Sequence, residues 1–458
     1  MSRSSPGRHA FVSNPHRTLA VLTFPVLLSL LLEPLTGIVD TFFVARLGAL
    51  ELAALGISTA VLSSVIWVFN FVGIGAQTEV ARCDGAGDAA GASEAALLAM
   101  TVGAGLGLAL AIGFWPAAPA ALHWMGAEGG LLAEAVVYLQ IRLLGAAPLL
   151  VTLAGFGALR GVQDMRTPFW IALGSSALNA VLDPLLIFGA GPVPALGVAG
   201  AAIASTAAHW LAAGAVVWAV RSRFGVAHRI PWRRAPQLLV VGRDLVARTA
   251  LLLLFQLLAT RKAAAIGVSA IAAHHAVRQL WTLSAFVLDA YAAAGQTLVG
   301  YFLGADEPAQ ARRVAGVACG WGAVTGVVIG GLMWAGEDAV ALAFVPAEAR
   351  AEFHLAWLAL LLAQPLNALS FVTDGLHWGS ADYAYLRNAM IVATATGLAG
   401  LYLVDPAVPG ALFGVWLVTG AWITVRAGFG MARIWPGIGA SPFRRAGPAG
   451  REGPAAAS

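Results

Sequence analysis

The run Leu19-Ala-Val-Leu-Thr-Phe-Pro25-Val-Leu-Leu-Ser-Leu-Leu-Leu-Glu33-Pro34-Leu-Thr-Gly-Ile-Val-Asp40-Thr-Phe-Phe-Val-Ala45 decides the fold. A helix needs about 20 consecutive apolar residues to cross a bilayer, and this run exceeds that. Its only ionisable groups are Glu33 and Asp40, and its two prolines are Pro25 and Pro34. Twelve such stretches can be marked along the chain. They lie near 19–45, 50–78, 93–115, 131–158, 167–190, 197–220, 238–260, 268–302, 312–335, 351–378, 388–404 and 408–432.

Composition gives the same reading. The 458 residues are 59% hydrophobic and only 11% charged, whereas a soluble domain carries roughly 25% charged residues. So little charge cannot cover the surface of two or three globular domains, so lipid must cover most of it. Disorder needs the opposite balance. Cys83 and Cys319 are too few for a disulfide scaffold and read as structural. The net charge of +4 does not point to nucleic acid, because the basic residues sit at the chain ends and in alternate loops. No Gly-rich phosphate loop is present, so hydrolysis of ATP by this chain is not expected. His274-His275 has no acid at metal spacing, and neither an enzyme activity, a cofactor nor a structural metal is expected.

Charge also orients the chain. With the N-terminus in the cytoplasm, the inside segments hold most of the arginines, from Arg3, Arg8 and Arg17 to Arg444, Arg445 and Arg451. The outside loops hold only Arg46, Arg261, Lys262 and Arg350. Both termini are then cytoplasmic. No small-residue cleavage pattern follows the first run, so no removable signal peptide is read. The domain reading is a tail over 1–18, an N-lobe over 19–220, a basic linker over 221–237, a C-lobe over 238–432 and a disordered tail over 433–458.

The two lobes repeat. Gly48, Ala76-Gln77-Thr78 and Gly85 recur 219 positions later as Gly267, Gly295-Gln296-Thr297 and Gly304. Gly161-Val-Gln-Asp164 matches Gly379-Ser-Ala-Asp382 at an offset of 218. Six spans per repeat give both halves the same orientation, so the repeats are parallel, about an axis along the membrane normal. Transporters of this architecture rock two lobes around a site.

Ionisable groups inside the bilayer are costly and mark cavities or relays. Glu33 and Asp40 are seven apart and share a face of the first span, which Pro25 and Pro34 interrupt. A proline removes a backbone hydrogen bond and leaves a hinge. A carboxyl group beside a hinge suits a protonation switch. Asn179 and Asp183 are four apart on the fifth span, directly before Pro184. Ser205 and Thr206 add hydroxyls on the sixth span, unless they bond back to their own helix. The repeat supplies a control. Asp40 maps onto Ala259 and Asp183 onto Gly400 or Leu401, so the second half lacks both acids. Conversely, Asn70 maps onto Asp289, which either pairs with Arg248 or Arg278 or attracts a cationic substrate.

Glu33 to Gly48, followed by Leu52-Ala-Ala-Leu-Gly56, resembles the first-span signature of the multidrug and toxic compound extrusion (MATE) transporters, in their DinF-like branch. Gly161-Val-Gln-Asp-Met-Arg-Thr167-Pro168, Asn179 to Asp183-Pro184 and Leu196-Gly-Val-Ala-Gly-Ala-Ala resemble further family motifs, so the likeness spans roughly 15–435. The resemblance implies an all-α membrane protein of about twelve transmembrane helices in two six-helix lobes forming a V. It implies export of organic cations or amphipathic drugs in exchange for protons or sodium ions. It makes Asp40 the ion-coupling residue, joined by Asn179 and Asp183, with Pro25 where the first helix bends. The span-seven Phe-Glu pair of the sodium-driven branch reads Phe255-Gln256 here, which favours protons, with sodium at Asp40 and Asp183 as the alternative.

The expected function is thus a proton-coupled antiporter, acting as a monomer in the plasma (inner) membrane. Glu33, Ser205, Thr206, Asn70, Asp289 and Gln256 are the candidate cavity residues and Pro25, Pro34 and Pro184 the hinges. The other readings are a sodium-coupled antiporter, a lipid-linked oligosaccharide flippase of related architecture, and a scaffold or channel. A flippase needs a strongly cationic cavity, for which only Arg142, Arg248 and Arg278 are candidates.

Overall fold

A computed structural model describes residues 9–225 and 229–444. Arg3, Arg8, Arg445 and Arg451, used above for orientation, and the 445–458 part of the tail lie outside the described residues. The helices are α1 (Ala10–Ser13), α2 (Pro15–Val44), α3 (Ala49–Trp67), α4 (Phe71–Gly85), α5 (Ala89–Phe114), α6 (Ala118–Trp124), α7 (Gly129–Leu143), α8 (Ala146–Gly161) and α9 (Arg166–Phe188). They continue with α10 (Gly197–Phe224), α11 (Ala235–Ile266), α12 (Val268–Gly304), α13 (Pro308–Ala335), α14 (Glu337–Phe344), α15 (Arg350–Gly379), α16 (Tyr383–Leu403) and α17 (Ala411–Ile434).

All twelve stretches marked in the sequence fall on these helices. Among the described residues, eight helical stretches are long and apolar enough to cross a membrane, with α3 and α4 counted together as Ala49–Gly85. The count is nine when α7 and α8, bent by 46° at their junction, form one span. The other three, α11, α12 and α16, carry more polar side chains, such as Arg243, Asp244 and Arg248 on α11. Only helices fit here, because a backbone in lipid must satisfy its hydrogen bonds internally.

Two compact units divide the chain. One runs from Ala20 to Ala250; the other combines the described residues up to Leu19 with those from Leu251 onward. The stretch read as an N-terminal tail is ordered from His9 in the second unit. Phe11 is fully buried, Arg313 donates to the Val12 carbonyl at 3.2 Å, and the Trp321 indole donates to His16 Nδ1 at 3.0 Å. The described part of the 433–458 stretch also packs: Phe443 is buried edge-on to His377, and Arg433, in the last turn of α17, pairs with Asp382 at 2.6 Å. Short apolar anchors of this kind escape a reading tuned to 20-residue runs. So do α6 and α14, which occupy equivalent places in the two repeats.

The repeat is visible in the backbone of each unit. Gln163 and Ala381, matched at offset 218, both adopt the left-handed conformation, with φ 63° and 59°. In the first unit, a Cβ on Gly161 would lie 2.9 Å from the Gln77 carbonyl, so α8 crosses α4 with backbones in near contact. In the second, a Cβ on Gly379 would lie 2.9 Å from the Cα of Gln296, and one on Gly375 would lie 2.5 Å from the Cα of Ala292. Small residues at such crossings let helices meet by close packing where no hydrophobic drive acts between them.

One test follows. Ala improves helix propensity over Gly by about 1 kcal/mol, yet Gly375→Ala is expected to lower stability by about 1–3 kcal/mol through overpacking. Gly316→Ala on α13, where nothing lies within 4 Å of the added methyl, is the control and should hold or raise the thermal midpoint in detergent. Equal midpoints for the two variants would remove the packing argument.

Candidate functional site

Three helices of the Ala20–Ala250 unit bring the acids together. Asp40 sits on α2 after Pro34, Asn179 and Asp183 on α9 before Pro184, and Ser205 on α10. The Ser205 hydroxyl donates to Asp40 Oδ2 at 3.3 Å and accepts from Asn179 Nδ2 at 3.2 Å. Asn179 Nδ2 also reaches Asp183 Oδ1 at 3.5 Å. The Asp40 and Asp183 carboxyl groups approach closely enough to hydrogen bond to each other. Asp183 is fully buried, Asn179 and Ser205 nearly so, and Asp40 is half-buried.

Among the described residues, no N–H or hydroxyl donor reaches three buried oxygens of this cluster: Asp40 Oδ1, Asn179 Oδ1 and Asp183 Oδ2. Buried polar atoms are normally satisfied, and an orphan costs about 1–3 kcal/mol. Three such oxygens on one cluster are unusual, and a proton or a cation would satisfy them. Arg142 on α7 supplies a positive charge that acts on Asp40, Asp183 and Glu33 through space. Among the described residues it forms no ion pair with them; its Nη1 lies 3.4 Å from His209 Nδ1. Pro184 removes the backbone donor that would serve the carbonyl of Ala180, the residue next to Asn179.

The remaining sequence candidates are placed as follows. Thr206 donates across to the Ile141 carbonyl at 3.2 Å instead of bonding back along its own helix. Thr36, one turn before Asp40, donates to Ser176 at 2.8 Å and ties α2 to α9. Glu33 is exposed and makes none of the cluster's hydrogen bonds. Asn70 is exposed in the 3-10 turn Val68–Asn70 that separates α3 from α4. Pro25 and Pro34 both lie inside a helix that stays continuous from Pro15 to Val44. Asp289 and Gln256 belong to the other unit. There Gln256 lines a water-sized cavity of about 10 Å³ with His274, Arg278 and Trp416.

Known proteins resemble this chain over most of its length. The model of the MatE family matches residues 25–185 and again 245–403. The chain belongs to the MatE family. It is therefore a multi-pass membrane transporter of the multidrug and toxic compound class, and not an enzyme. The paired matches fall one on each half of the repeat. Protein DETOXIFICATION 44, chloroplastic, of Arabidopsis thaliana is 30% identical over 425 residues, covering 88% of this chain and 80% of that protein. DNA damage-inducible protein F of Escherichia coli (strain K12) is 27% identical over 437 residues, covering 93% of each. A crystal structure described as MATE in the bent conformation superposes with a TM-score of 0.83 at 22% identity, over 92% of this chain and 95% of that one, and shows the shared fold.

Two groups of this MatE protein were missed in the sequence. His209 lies one turn after Ser205 on the same face of α10, and that spacing was a usable signal. The second is Arg426 on α17, which pairs with Asp374 on α15 at 2.7 Å, both buried. Asp374 lies near the end of the tenth apolar run, 351–378. Its partner is 52 residues away, and no local spacing announces it.

Proposed function

We propose that this transporter is a secondary antiporter exporting organic cations or amphipathic drugs in exchange for protons. The observation that carries this reading is the Asp40–Asp183 pair. Two carboxyl groups can hydrogen bond to each other only with a proton between them, and like charges at that distance resist joint ionisation. Asn179 and Ser205 hold the pair in register, and Arg142 sets the local field. Asp40 is then the ion-coupling residue, with Asp183 and Asn179 beside it. Drug binds while the pair is deprotonated. Proton entry from outside removes the charge, α2 bends at Pro25, and the drug is expelled. Pro34 and Pro184 leave the backbone able to adjust on either side. The protein works as a monomer in the plasma (inner) membrane with both termini cytoplasmic, as lobes 19–220 and 238–432 joined by the basic 221–237 segment.

The orphan oxygens support a second reading. Asp40 Oδ1, Asn179 Oδ1 and Asp183 Oδ2 form an all-oxygen set of the kind that hard cations take, so sodium coupling at the same place is the alternative. Proteoliposomes loaded with a fluorescent organic cation separate the two. A pH gradient alone, at equal sodium, is expected to drive exchange. A sodium gradient at equal pH is expected to give the rate of protein-free vesicles. The reverse pattern would replace protons with sodium, and no response to either gradient would remove the antiport reading.

A further inference from the structure

A groove of about 380 Å³ runs between the start of α9 and the end of α10. Trp170, Gly174 and Ser175 line it from α9, and Leu211, Ala215 and Trp218 from α10. Its polar floor is closed: the Ser175 hydroxyl donates to the Ala208 carbonyl at 3.0 Å, and the Thr167 hydroxyl to Asp164 at 2.6 Å. Its rims are large exposed aromatics, Trp170 at 64% and Trp218 at 73%. Tryptophan is enriched where the hydrocarbon of a membrane meets its headgroups.

Charge is concentrated at one end. Arg166 is one turn before Trp170 and Arg221 is three residues after Trp218, so each shares the groove-lining face of its helix. Both arginines are exposed, and among the described residues neither takes part in an ion pair or a side-chain hydrogen bond. They lie where α9 begins and α10 ends, at the same end of the groove. An apolar trough with a tryptophan at each rim and two unengaged guanidinium groups at its mouth matches the chemistry of a lipid that is fatty at one end and anionic at the other.

We propose that this groove binds one anionic phospholipid, with an acyl chain along the trough and the phosphate at Arg166 and Arg221. Guanidinium suits phosphate because its planar fork donates two parallel hydrogen bonds. The site is independent of the ion-coupling reading, since none of its residues belongs to the acid cluster.

Gly174 offers a clean test, because nothing lies within 4 Å of a Cβ built there. Gly174→Phe should fill the trough without disturbing the helix pair. The full chain, purified in detergent, is incubated with equal amounts of dioleoyl phosphatidylglycerol and dioleoyl phosphatidylcholine and weighed by native mass spectrometry. The parent is expected to retain one phosphatidylglycerol with roughly tenfold preference, in keeping with the attraction of two arginines. Gly174→Phe should lose both lipids. Arg166→Gln with Arg221→Gln, two surface changes that leave the fold intact, should hold the two lipids equally. Equal retention by the parent, or a Gly174→Phe variant that keeps its phosphatidylglycerol, would overturn the proposal. A parent dimer dispersed by Gly174→Phe would overturn it too, in favour of a second copy of this chain.

Discussion

Asp40→Asn is expected to reduce drug efflux driven by an imposed pH gradient to the level of vesicles lacking the protein. The amide has the shape of the carboxyl group and can still accept the Ser205 hydroxyl through its oxygen, so the hydrogen bond at 3.3 Å survives. What it loses is the ability to gain and release a proton. The variant should unfold within about 1 kcal/mol of the parent, because no packing is removed. Drug binding measured without a gradient should weaken, because the neutral amide mimics the protonated state that releases drug, and exchange coupled to protons should disappear. Asp183→Asn leaves one titrating group and should give an intermediate rate. The repeat supplies the contrast: Ala259 stands where a second Asp40 would be, so Ala259→Ser, a small change in the other half, should leave coupling intact. Full pH-driven exchange by a well-folded Asp40→Asn protein would defeat the assignment.

Arg426→Leu is expected to be the most destabilising single change in the C-terminal half. Arg426 and Asp374 are 4% and 5% exposed and meet at 2.7 Å. The guanidinium also sits over the Trp422 ring at 4.6 Å and the Phe371 ring at 5.7 Å. Removing one member of a buried ion pair strands the other charge, at a cost of about 3–5 kcal/mol. Replacing both by apolar residues of similar size removes the stranded charge and can be nearly neutral. The double variant Arg426→Leu with Asp374→Leu should therefore unfold at a higher temperature than either single variant, which is the opposite of additive behaviour. Single variants melting within experimental error of the parent would show the pair to be energetically idle.

These two sites differ in how far the sequence disclosed them. Asp40 lies in an apolar run beside two prolines, and Asn179 and Asp183 are one helical turn apart, so one-dimensional spacing was enough to single them out. That Ser205 is the bridge between them was only half legible. Its hydroxyl had two plausible uses, and helix α10 had to be seen against α2 and α9 to decide. Thr206, its neighbour, went to the Ile141 carbonyl instead. Gln256 and Asp289 share the chain's polar inventory with Asp40 but belong to the other compact unit. The repeat already assigned them to different lobes, but sequence alone could not say which polar side chains within a lobe meet.

The sequence by itself determined the class: a helical, duplicated membrane protein whose second half lacks the counterparts of Asp40 and Asp183. It could do so because lipid imposes a length and an apolarity on every span, and a duplication leaves its offset in the residues. Only the tertiary structure decided which polar groups meet. It joined Asp40 to Asp183 through Ser205 and Asn179, paired Arg426 with Asp374, and set His9 to Leu19 among the residues of the second half. Each of those contacts joins separate helices, and the rotation of a helix about its axis is fixed by close packing, such as that of Gly161 on Gln77 and Gly375 on Ala292, which no single stretch of sequence encodes.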